Sequence, residues 1–194
     1  MFFDLANKMD YNNKNGVIHM IVMQNEYNRR NAVIYATTYG MNANPRYPYY
    51  KGDDCTNFVS QCLQAGGCKN HFHATHPWWC IGKKTSICWS VAASLYWYIK
   101  VCTKENSFGI KAKTIIIEGN DAYSASIAEL LMPGDVIQYL NRKNRIQHSA
   151  IITGFEIVEG LRQPLISQHT YEAVNIPWKK DHKKTIFHHI IDIN

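Results

Sequence analysis

From Cys55 onward the chain falls into a helical rhythm. Phe58, Val59, Cys62 and Leu63 recur on one stripe, and Thr56, Asn57, Ser60, Gln61 and Gln64 fill the opposite face. This pattern predicts a half-buried helix beginning at Cys55. Gly52 permits the turn ahead of it, Asp53 or Asp54 can serve as N-cap, and Gly66-Gly67 stops it. An earlier helix is expected from about Gln24 to Tyr39, ended by Gly40, with Ala32, Val33, Tyr35, Ala36 and Tyr39 as its apolar surface. Between the two, Asn44-Pro45-Arg46-Tyr47-Pro48-Tyr49-Tyr50 reads as extended, because prolines and the residues before them avoid the helical region. Ser86 can cap a third helix from about Ile87 to Val101, with Trp89, Ala92, Ala93, Tyr96, Trp97 and Ile99 toward the core.

Beyond this point the period shortens to that of strands. Thr114 to Glu118 is a short β-rich segment. Leu131 to Leu140 is a Pro-Gly turn feeding a strand, and Asn141 to Asn144 is a polar hairpin tip. Ile146 to Thr153, Leu165 to Thr170 and Thr185 to Ile193 complete the set. Helices first and an antiparallel sheet afterwards predict an α+β fold. Residues 1–20 are weakly patterned and read as an N-terminal extension, with a single domain over 21–194.

The 194 residues suit one domain with a sizeable core, and 46% hydrophobic with 19% charged residues is a globular composition. The net charge of +6 is dispersed, and no aromatic-basic interleaving points to nucleic acid. No apolar run reaches transmembrane length, so no membrane span is expected. Residues 1–8 lack a basic stretch followed by a long apolar run, so no signal peptide is evident and a cytoplasmic location is expected. Cys55 and Cys62 share a helix face, and the other four of the six cysteines lie between Cys68 and Cys102. That distribution predicts reduced thiols rather than a disulfide framework. Cys68, His71, His73, His76 and Cys80 have side chains that suit zinc, but the paired ligand spacings are missing and Trp78-Trp79 interrupts them. No metal and no cofactor are therefore expected, and packing or solvent-facing histidines are the simpler reading.

Cys55 is where chemistry is expected. A cysteine on an apolar helix stripe usually serves as a small core residue. Cys55, however, opens its helix, where the dipole favours a thiolate nucleophile. Such a nucleophile needs a base that removes its proton and later protonates the leaving amine. His148, early in the strand Ile146 to Thr153, suits both steps. His169, on the expected neighbouring strand, is the candidate third member that orients His148. Gln168 is its rival, since strand alternation turns only one of the two toward that ring.

The segment Asp54-Cys55-Thr56-Asn57-Phe58-Val59-Ser60-Gln61 with Ala65-Gly66-Gly67 resembles the nucleophile motif of the bacterial putative amidase domain family. That family belongs to the papain-like cysteine hydrolases related to the NlpC and CHAP cell-wall peptidases. Other parts are similar in the same order. They are Tyr27-Asn28-Arg29-Arg30 with Ala32 and Tyr35-Ala36, Asn44-Pro45, Tyr47-Pro48, and Ser86 with Trp89. Pro133-Gly134-Asp135-Val136-Ile137-Gln138, His148-Ser149-Ala150-Ile151 and Ser167-Gln168-His169-Thr170 follow. The resemblance implies a papain-like fold with Cys55 as nucleophile, His148 as base and His169 as third member. It further implies hydrolysis of an amide through a thioester, in peptidoglycan stem peptides or a related peptide. Asp54, Gln168 and Trp89, all within these motifs, are the expected substrate contacts. The backbone N–H of Cys55 is the expected oxyanion donor. Residues 1–20 and the His/Cys-rich stretch 68–80 have no counterpart in the pattern. Two other functions compete: a binding module for cell-wall peptides that keeps the fold without turnover, and a zinc-dependent hydrolase using residues 68–80.

Overall fold

The computed structural model describes residues 26–119, 122–178 and 182–193. Helix α1 spans Arg29–Tyr39, and α2 spans Cys55–Ala65. A small hairpin, β1 (Cys80–Ile81) with β2 (Lys84–Thr85), precedes α3 (Ile87–Ser90) and α4 (Ala92–Glu105). Then come β3 (Lys111–Glu118), α5 (Ala125–Leu130), β4 (Val136–Leu140), β5 (Ile146–Val158), β6 (Leu161–Gln168), β7 (Ala173–Pro177) and β8 (Lys184–Asp192). The six long strands form one sheet in the order β3-β8-β4-β5-β6-β7, and every neighbouring pair is antiparallel. The architecture is α+β. The expected extension, residues 1–20, and the first residues of the expected first helix lie outside the described residues.

Strand alternation sorts the core into two layers. Val136, Ile151 and Ile190 face α1, α2 and α4, together with Phe58, Leu63, Trp89 and Leu95. Their chain neighbours Ile137, Ala150 and Ile152 face the other way, toward Leu131, Tyr139, Trp178 and Phe187. Every residue of β4 is consequently buried, as expected for a central strand covered on both faces. Among the described residues, no helix is long and apolar enough to cross a membrane.

The departures from the expected elements have local causes. Helix α1 starts at Arg29 because Asn28 caps it, accepting from the Asn31 N–H at 3.0 Å. The third expected helix is broken at Val91, which is extended (φ −116°, ψ 126°). Just before the break, the Trp89 carbonyl accepts from Ser60 Oγ at 2.7 Å instead of continuing the helical ladder. Strand β5 runs five residues past its expected end at Thr153, through a bulge near Gly154. It turns into β6 at Glu159-Gly160, both with positive φ (51° and 77°), a two-residue hairpin turn.

Candidate active site

Helix α2 presents Cys55 as its first residue, 3% exposed, with Asp54 at the N-cap position. The Asp54 carboxylate does not cap its own helix. Its Oδ1 accepts from the Tyr50 N–H at 2.9 Å and from Asn57 Nδ2 at 2.8 Å, and its Oδ2 lies 2.6 Å from His169 Nδ1. The other nitrogen of that ring, Nε2, donates to the Tyr39 carbonyl at 2.8 Å. His169 also stacks on Phe58 with ring centroids 4.1 Å apart. A single buried imidazole thus ties the end of α1, the loop before Cys55 and the apolar face of α2 together. The Asp54 N–H donates to Thr170 Oγ1 at 3.0 Å, fastening the same loop to the chain just past β6.

His148 stands on β5, and its Nε2 lies 3.0 Å from Gln168 Oε1. The amide's orientation is set by its other end, where Gln168 Nε2 donates to the Tyr171 carbonyl at 2.9 Å. Gln168 therefore offers His148 an acceptor, so Nε2 carries a proton and the lone pair of the neutral ring is on Nδ1. The adjoining residue of β5, Ser149, has its Oγ 3.0 Å from Thr56 Oγ1. Ser149 faces α2, so strand alternation turns His148 to the other side of β5, where its ring lies over Tyr139 with centroids 6.0 Å apart.

Of the two candidates for orienting His148, the structure brings Gln168 to its ring and turns His169 to Asp54. Consecutive side chains at the end of β6 point to opposite sides, so one position is committed to each partner. The expected substrate contacts Trp89, Asp54 and Gln168 are all buried. Trp89 is fully enclosed, donates from Nε1 to Asn57 Oδ1 at 2.8 Å and packs on Trp78 at 4.6 Å between ring centroids. Asp54 and Gln168 are each 1% exposed and held by internal partners. The accessible surface beside it is an open depression lined by Tyr50, Lys51, Asp53, Ser90 and Val91.

In the stretch 68–80 the rings of His71, His73 and His76 adjoin, with centroids 5.5 and 5.9 Å apart, while Cys68 and Cys80 have other neighbours. Cys68 is buried in the helix-side core. Cys80 Sγ lies 3.7 Å from the Gly82 carbonyl, and His71 Nδ1 is 3.9 Å from Cys102 Sγ. His73 and His76 both contact Thr75. Among the described residues, no group of three or more His, Cys, Asp or Glu side chains is placed to hold a metal ion. All six cysteines are free thiols. Burial pushes up Cys62 and Cys68 strongly, Cys88 to about 11, and Cys80 and Cys102 as well.

Several buried polar residues around Cys55 were not singled out from sequence: Thr56, Ser149, Gln138 and His188. For the strand residues the signal was a hydrophilic side chain where the pattern demands an apolar one. Gln138, in the centre of the fully buried β4, is the clearest case.

The family model described as a putative amidase domain matches residues 26–191. Among curated proteins, two uncharacterized proteins of Bacillus subtilis are similar. YhbB is 31% identical over 177 residues, covering 86% of this chain and 51% of its own length. YjcM is 31% identical over 155 residues, covering 75% of this chain and 31% of its own. The chain therefore spans about half the length of one relative and about a third of the other. No solved structure matches it.

Proposed function

The chain belongs to the putative amidase domain family, and from that premise we propose that it is a cysteine-dependent amidase or peptidase. The thiol of Cys55 attacks the carbonyl carbon of the scissile amide. His148 Nδ1 takes the thiol proton and then delivers it to the departing amine, leaving a thioester on Cys55. Water, deprotonated by the same nitrogen, cleaves the thioester, releases the acid and returns the proton to the sulfur. Gln168 holds the imidazole in the required tautomer, taking the part that the sequence reading gave to His169. The backbone N–H groups at the start of α2 face the developing oxyanion. His169 and Asp54 act one step away, by fixing the loop that carries the nucleophile.

The observation that carries this reading is the His148–Gln168 hydrogen bond, on a strand whose next residue, Ser149, touches Thr56 beside Cys55. Nucleophile on a helix start, base on the next strand and amide orienter on the one after is the papain-type arrangement. The substrate class we assign is a short peptide of cell-wall type, the class that the motif resemblance to the NlpC and CHAP peptidases implies. Mass spectrometry of muramidase-digested peptidoglycan incubated with the wild type and with Cys55→Ser tests the assignment. New fragments bearing a fresh carboxylate and amine should form with the wild type alone. Equal products from both proteins would refute the cysteine mechanism.

A further inference from the structure

Beneath Cys55 a chain of polar side chains, buried except at its Thr114 end, crosses four strands of the sheet on its helix-facing side. Thr114 Oγ1 on β3 is 3.0 Å from His188 Nδ1 on β8, and His188 Nε2 is 3.1 Å from Gln138 Oε1 on β4. Gln138 Nε2 lies 2.8 Å from the Ala92 carbonyl and 3.0 Å from Ser149 Oγ on β5. Ser149 Oγ is 3.0 Å from Thr56 Oγ1, and Thr56 Oγ1 is 3.7 Å from Cys55 Sγ. His188, Gln138, Ser149 and Thr56 are each fully buried, so water does not complete these bonds.

One group in the chain has a fixed polarity, and it determines all the others. The Ala92 carbonyl only accepts, so the Gln138 amide must turn its NH₂ toward it. Oε1 then faces His188, whose Nε2 must carry the proton. Burial holds His188 neutral, pushing it down to about 3, so its Nδ1 is an acceptor and Thr114 donates to it. The second N–H of the amide donates to Ser149 Oγ. The Ser149 hydroxyl proton then has one acceptor in reach, Thr56 Oγ1. The Thr56 proton has two in reach: Cys55 Sγ and Ser149 Oγ. Turning it to Ser149 would strand the Ser149 proton without an acceptor, a cost of about 1–3 kcal/mol for a buried group. Apart from the Gln138 N–H bonded to the Ala92 carbonyl, every donor in the chain therefore points toward the sulfur.

We propose that Thr56 is a catalytic residue whose hydroxyl donates to the Cys55 sulfur and stabilises its thiolate, and that Ser149, Gln138 and His188 are positioning residues that aim that hydroxyl. This rests on the reading of Cys55 as nucleophile. A hydrogen bond to an ionised acceptor is stronger than one to a neutral acceptor, and each donor behind it polarises the next. The one-way chain thus favours the anionic form of the sulfur over the protonated one. The titratable groups beside Cys55 are Asp54 and His169, bonded to each other. The Tyr96 ring packs on His188 at 5.9 Å.

The test is the pH profile of iodoacetamide alkylation at Cys55, read by peptide mapping on the full folded chain, and it needs no substrate. Thr56→Val removes the hydroxyl at nearly constant shape. It should move the half-maximal pH of alkylation upward by about one unit, while Thr56→Ser restores the wild-type profile. Ser149→Ala, which removes the donor to Thr56 but spares its hydroxyl, should shift the profile the same way by less. This second variant decides the matter if Thr56→Val does not fold. Profiles for Thr56→Val and Ser149→Ala that superimpose on wild type in folded protein overturn the proposal. A shifted profile without turnover of any peptide leaves the hydrogen-bond chain standing and removes the hydrolase reading.

Discussion

Replacing Gln168 and His169 one at a time separates two side chains that share a peptide bond but have different tasks. On the proposed mechanism, Gln168→Ala leaves His148 without the acceptor on Nε2, and the ring then samples unproductive tautomers. Turnover per folded molecule should drop by a factor between about ten and a thousand, with little change in melting temperature. His169→Ala has the opposite signature. It leaves the Asp54 carboxylate buried beside a cavity where its imidazole partner stood, which costs about 3–5 kcal/mol for a broken buried pair. Urea unfolding should show this loss, with the remaining folded fraction still turning over. If the stability loss follows Gln168 and the rate loss follows His169, the roles assigned from the geometry are reversed. The sequence narrowed the orienter to these two positions through strand alternation. It could not choose between them, because the choice depends on where α1 ends and presents the Tyr39 carbonyl to His169.

The helix carrying Cys55 was legible from its stripe, and its observed limits, Cys55–Ala65, agree with the pattern. Its anchoring was not. Gly66 and Gly67 together read as a stop, yet they do different work. Gly67 takes the positive φ of 104°, whereas Gly66 has φ −74° and is required for space. A Cβ at Gly66 would stand 2.3 Å from the Tyr27 ring, which itself donates through its hydroxyl to the Gly134 carbonyl at 2.8 Å. The Pro133-Gly134-Asp135 motif belongs to the same joint, because Asp135 accepts from Arg29 at 2.5 Å and from His189 Nδ1 at 2.9 Å. Gly66→Ala should therefore destabilise by about 1–3 kcal/mol through overpacking. A urea midpoint equal to wild type would show that Tyr27 swings aside freely. Elements such as α5 and β7 escaped the sequence reading because they are short and half exposed, so burial leaves little period in them.

Across the whole molecule, the buried polar chain links stability to pH. His188 is depressed from an ordinary value near 6.5 to about 3, so below pH 6.5 the unfolded chain takes up a proton that the folded one refuses. Stability should be fully present above about pH 6.5. It should fall toward pH 3 with a slope of up to about 1.4 kcal/mol per pH unit from this one group. Melting temperatures measured over that window should fall less steeply for His188→Gln than for the wild type, and equal slopes would contradict the assignment. The site's central claim is that one thiol among six is activated by its surroundings. Cys80 is more exposed than Cys55, so accessibility alone makes Cys80 the first thiol to react, whereas activation by α2 and His148 makes it Cys55. Limited alkylation of the folded chain near neutral pH, followed by peptide mapping, decides between them. Cys55 should be labelled first, His148→Ala should slow it selectively, and Cys62, Cys68, Cys88 and Cys102 should stay unmodified until unfolding. Labelling led by Cys80, or a Cys55 rate indifferent to His148→Ala, would contradict it.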